Sequence, residues 1–162
     1  MLRRAARAAL RAEGVPPAAE VSVLVTDDEE IRRLNRDYRA VHSTTDVLAF
    51  PQDRAAHRPR PERERDRIMR ARNRGGRVAR ACRGQGPGHC EPPLLGDVVI
   101  SAPTARRQAR QRHRSLDDEM QLLLIHGILH LTGWRDDTET ERQRMLRRAR
   151  VIQRLAEVGK LT

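Results

Sequence analysis

His126-Gly-Ile-Leu-His130 stands inside an apolar run, with Leu122-Leu-Leu-Ile125 before it and Leu131 after it. If that run is helical, both imidazoles project from one face. Residues four apart share one helix face, one turn from each other. That spacing lets a single helix offer two nitrogen ligands to one metal ion. Gly133 then turns the chain, and Asp136 and Asp137 follow within reach of the same point. Two nitrogens and one oxygen leave a tetrahedral ion an open position, which a catalytic metal needs and a structural one lacks. The competing reading is a pair of satisfied core histidines. The Gly turn and the two acids at short range, in a chain with only 6 histidines, favour the metal. Gly127 occupies the place where zinc proteases carry their general-base Glu, which argues against peptide hydrolysis by that route.

At 162 residues the chain is read as one domain with length enough for a core. Tyr38, Phe50 and Trp134 are its only aromatics, so that core is built from Leu, Val, Ile and Ala. Cys82 and Cys90 are too few for a disulfide framework. Cys82 with His89-Cys90 fits no standard zinc module and is read as coincidence. The sequence has no secretory pattern and no apolar run of about 18 residues, so a soluble, cytoplasmic protein without a membrane partner is expected.

Net charge is +11, and Lys160 is the only lysine. The charge is concentrated: residues 52–93 carry 12 arginines against 5 acids, with frequent Gly and Pro and few apolar residues. That segment is read as an Arg-rich, disordered insertion. A basic excess of this kind favours a polyanion, RNA above all, although a solvated linker has the same composition.

Outside the insertion, periodicity predicts a helix over Leu2–Glu13, stopped by Gly14, and a buried strand over Val21–Val25. Asp27 opens a second helix whose inner stripe is Ile31, Leu34 and Tyr38. Val47–Phe50 and Asp97–Ile100 read as strands, and Ala105–His113 as a basic helix. Ser115 caps the histidine helix. Thr138-Glu-Thr-Glu141 caps a final helix running from Glu139 to about Val158, with Met145, Ala149, Ile152 and Ala156 inward.

Three separated blocks now coincide. His126-Gly-Ile-Leu-His130-Leu-Thr-Gly133-Trp134 resembles the signature of the YbeY-type endoribonucleases. Leu34-Asn-Arg-Asp-Tyr-Arg39 with Thr45-Asp-Val-Leu-Ala-Phe-Pro51 resembles that family's upstream block, and Leu95-Gly-Asp-Val-Val-Ile-Ser101 its central strand. The blocks lie in family order and span most of the chain outside 52–93. The resemblance implies a zincin-like α+β fold: a small mixed sheet packed with helices, the metal-bearing helix in the core. It also implies a strand ahead of the first helix. Either the start lies upstream of Met1 or the sheet lacks that edge strand.

The resemblance further implies a zinc-dependent, single-strand-specific endoribonuclease of 16S rRNA 3′-end maturation and ribosome quality control. Its partners would be the 16S precursor and the small ribosomal subunit. The family's metal set is three histidines; His126 and His130 match two, and Asp136 stands at the third. Arg135 stands where the family usually has Asp. A carboxylate is a competent zinc ligand and makes an oxygen-preferring ion such as Mn²⁺ more plausible. Asp136 is thus expected as third ligand, with Asp137 behind it or in its stead. Arg39 matches a family arginine beside the metal cleft and is expected to contact the scissile phosphate. Thr45 and Asp46 are expected to shape the turn into the strand, and Trp134 to pack over the metal loop. The alternative function is a ribosome-associated assembly factor whose metal is mainly structural.

Overall fold

A computed structural model describes residues 1–52 and 94–158. Apart from Gln52, the Arg-rich segment lies outside the described residues, and so does the Cys82, His89, Cys90 reading. Eight elements follow in order: α1 (Leu2–Glu13), β1 (Glu20–Thr26), α2 (Asp28–Arg39), β2 (Val47–Pro51), β3 (Leu94–Ser101), α3 (Ala102–Gln111), α4 (Leu116–Leu131) and α5 (Glu139–Val158). The sheet order is β1-β3-β2, with β1 parallel and β2 antiparallel to β3. This is the expected mixed α+β class.

The sheet is packed on both faces. Val98 and Ile100 of β3 enter the main core with α1, α4 and α5. Val99 points the other way, with Leu48, against Ile31 of α2. The alternation follows from the period of two along a strand. α4 lies centrally, with Leu122 to Ile125, Gly127 to Leu129 and Leu131 all buried. A helix apolar on all sides has no solvent face to spare, so α1, α3 and α5 surround it. Small residues allow the approach: Ala5 and Ala9 of α1 and Ala149 of α5 are fully buried. Gly127 faces the sheet. A Cβ built there would stand 2.5 Å from Val98 Cγ1, so no larger residue fits without moving the helix.

Caps fix the ends as the sequence suggests. Asp27 accepts from the Glu29 and Glu30 amides at 3.1 and 2.9 Å. Ser115 accepts from the Asp118 amide at 3.0 Å. Thr138 and Glu141 form a reciprocal capping box, at 3.1 and 3.2 Å.

Three expectations need correction. β1 is an edge strand, not a buried one: Val23, Leu24 and Val25 are 40%, 50% and 44% exposed. No other described strand pairs along its outer side. Tyr38 is not on the inner stripe of α2; it is 70% exposed. Asn35 takes the inward place instead and donates to the Ser43 carbonyl at 2.7 Å, holding the loop after the helix. The basic helix α3 begins at Ala102 rather than Ala105. Ser101 ends β3 and caps α3 at once by accepting from the Thr104 amide at 3.2 Å, and Pro103 suits the first turn of a helix, where no amide partner is needed.

Candidate metal centre

His126 and His130 leave α4 one turn apart, and their Nε2 atoms stand 3.2 Å from each other. Two nitrogens on one tetrahedral zinc, each about 2.05 Å from it, lie roughly 3.3 Å apart. The helix alone therefore sets the first two ligands at the required separation.

The third group depends on how α4 ends. The Gly133 amide donates to the His130 carbonyl at 2.9 Å, and the Trp134 amide to the Leu129 carbonyl at 3.0 Å. This is a Schellman ending, and it needs the left-handed backbone that Gly133 adopts at φ 88°. The turn sends Arg135 to Asp137 back across the end of the helix. Asp136 Oδ2 then lies 3.9 Å from His126 Nε2 and 3.8 Å from His130 Nε2. These three residues are the one set of potential metal ligands among the described residues, with ligand atoms all within 4.8 Å of one another. Asp137 is not in the set; its carboxylate is paired with Arg135.

Trp134 anchors the returning loop from behind. It packs against the core, and its indole nitrogen donates to Glu13 Oε2 at 2.9 Å. Arg148 of α5 donates to the other Glu13 oxygen at 2.9 Å. The end of α1 thus braces the metal loop against α5.

Both imidazoles are held below the ordinary histidine range. For His126 the main cause is burial, followed by the neighbouring His130, with Asp136 and Asp46 opposing. For His130 burial again leads, opposed by Asp136 and by a hydrogen bond to the Trp134 backbone, while the Arg39 charge adds to the depression. Neutral rings keep a lone pair for a metal at neutral pH. The hydrogen bond to Trp134 orients His130 in the way a ligating histidine is usually oriented. His126 Nδ1 is buried with no hydrogen-bond partner among the described residues.

Arg39 ends α2, exposed, and its charge reaches His130. The structure thereby brings three of the four expected residues, His126, His130 and Asp136, together, with the Arg39 charge felt at His130. Asp46 adds to them. It enters β2 by accepting from the Val47 amide at 2.8 Å and from Gln108 Nε2 of α3 at 2.9 Å, and its charge also reaches His126. From the sequence Asp46 is a turn residue, and nothing near it in the chain signals its approach to His126.

Known proteins match this chain along most of its length. The family model described as "Endoribonuclease YbeY" matches residues 1–156. The chain belongs to the YbeY endoribonuclease family. Endoribonuclease YbeY of Moorella thermoacetica is 38% identical over 98% of this chain and 85% of its own length. That of Geobacillus thermodenitrificans is 38% identical over 89% of this chain and 77% of its own length. The solution structure of TM1509 from Thermotoga maritima shares the fold, with a TM-score of 0.55 at 18% identity, covering 96% of this chain and 78% of that one. Among the described residues no helix is long and apolar enough to cross a membrane.

Proposed function

We propose that this YbeY family member is a metal-dependent endoribonuclease that cuts single-stranded RNA. Its role would be 16S rRNA 3′-end maturation and ribosome quality control in the cytoplasm, with the 16S precursor and small subunit as partners. The observation that carries the reading is the convergence of two neutral imidazoles and one carboxylate on a point open to solvent, where side-chain exposures are 16%, 29% and 37%. His126, His130 and Asp136 would hold one zinc ion, and their three donors leave a tetrahedral ion one position short. The carboxylate makes Mn²⁺ a stronger competitor than it would be at three imidazoles. Bound there, the ion supplies Lewis acidity toward water and a phosphoryl oxygen.

The chain's own residues supply the rest. His126 and His130 present nitrogens kept free of protons by burial. The Trp134 backbone fixes the His130 ring, and the Schellman turn at Gly133 holds Asp136 over both. The guanidinium of Arg39 meets a phosphate at the mouth of the site and stabilises charge that develops on it. Gly127 faces the sheet, so the position after the first histidine has no room for an acid–base group. Asp46 ties β2 to α3 and sets a negative charge near His126.

The test is cleavage of single-stranded RNA by purified protein with and without a chelator. Multiple turnovers that stop on chelation and resume with zinc are expected. Metal-dependent RNA binding without turnover would instead fit an assembly factor with a structural ion.

A further inference from the structure

Resting on the RNA reading of the metal centre, we infer that the groove under Tyr38 is a subsite for an unpaired nucleobase of the RNA, stacked on the Tyr38 ring. The groove, of about 490 Å³, lies on the α2 face of the sheet and is floored by Leu24, Leu34, Phe50 and Val99. The chain has a single Tyr, a single Phe and a single Trp, and two of the three meet here. Tyr38 and Phe50 pack edge to face, centroids 5.1 Å apart at 61°. Phe50 is partly buried beside Leu48 and Val99. Tyr38 remains 70% exposed, and Leu24 beside it 50%.

A ring fixed from below by a second ring and open above is a stacking platform. Aromatic rings capture bases of any sequence because every base has a π-face. The charges around the groove say which part of a nucleotide enters it. Glu30 and Asp97 line it as well, with Asp97 accepting from Gln52 Nε2 at 2.9 Å. Glu30 is paired with Arg33 at 2.6 Å, so it is the Asp97 carboxylate that repels phosphate and leaves the groove to bases. Arg39, the next residue after Tyr38, attracts phosphate, and its charge reaches the metal ligand His130. The last turn of α2 thus carries a base platform and a phosphate contact side by side. An RNA strand with a phosphate at the metal centre passes Arg39 and places another of its bases on Tyr38.

Binding of a labelled single-stranded 2′-O-methyl RNA to the intact, metal-loaded protein tests this apart from cleavage. Tyr38→Ala should weaken binding about tenfold, and Tyr38→Phe should restore it. An abasic nucleotide at one position of the RNA should weaken the wild type to the same degree and leave Tyr38→Ala unaffected. The emission of Tyr38, the only tyrosine, should be quenched by the intact RNA and not by the abasic one. Circular dichroism identical to wild type should accompany Tyr38→Ala, since the ring is exposed. Wild-type affinity in Tyr38→Ala, or equal binding of every abasic RNA, would overturn the subsite while leaving the metal-centre reading intact. A wild type that binds no single-stranded RNA would overturn both.

Discussion

Leu122-Leu-Leu-Ile125 and Val21-Ser-Val-Leu-Val25 are similarly apolar, yet they meet opposite fates. In the first, every side chain is at most 5% exposed; in the second, Val23, Leu24 and Val25 are 40% exposed or more. Composition does not separate them. Position does: α4 has helices around it and a sheet beneath, whereas β1 has one paired neighbour, β3. The well-packed run anchors the helix turns that carry the candidate metal ligands, and the open run contributes to the floor of a groove.

Breaking the packed region should have the larger effects. His126→Ala should lower zinc affinity by about 100-fold or more, since even groups supporting a ligand are worth 10- to 100-fold, and RNA cleavage should vanish with it; zinc titration checks this. Leu124→Ala, at a fully buried site, should cost about 2–5 kcal/mol in urea unfolding. Gly127→Ala drives a Cβ to within 2.5 Å of Val98 and should cost about 1–3 kcal/mol, with zinc affinity falling as the helix shifts. Asp136→Ala should weaken zinc binding and Asp137→Ala should not, because Arg135 already holds Asp137; equal losses would exchange their roles.

Acid sharpens the contrast further. The folded state holds His126 and His130 below the ordinary value of 6.5. Metal-free stability is therefore complete above about pH 6.5 and falls as pH drops, because the unfolded chain takes up protons first. The urea midpoint should drop between pH 7.5 and 5.5, and His126→Ala combined with His130→Ala should flatten that drop. The smallest effect belongs to the open strand: Leu24→Ala should stay within about 0.5 kcal/mol. A loss comparable to Leu124→Ala would mean that something covers β1 in solution.

Much of this was legible in the sequence because it is local. The i, i+4 histidines, the Gly133 turn and the caps at Asp27, Ser115 and Thr138 each depend on residues a few positions apart. The helices and strands followed from short apolar runs and helical periods, and the class of the fold from the resemblance carried by the three sequence blocks. What was not legible depends on distant partners. Nothing in Val21–Val25 says that only one strand pairs with it. The spacing of Tyr38 from Ile31 and Leu34 fits a buried stripe, and only the place where α2 meets the sheet turns it outward. Asp46 reads as a turn residue until α3 and α4 bring Gln108 and His126 beside it.

Metal content and cleavage measured on one preparation test the central claim most directly. Purified protein should carry one equivalent of a divalent ion, lose it with its ribonuclease activity on chelation, and regain both with zinc. The His126→Ala, His130→Ala double variant should do neither. A metal-free preparation that cuts single-stranded RNA at the full rate in chelator would contradict the account.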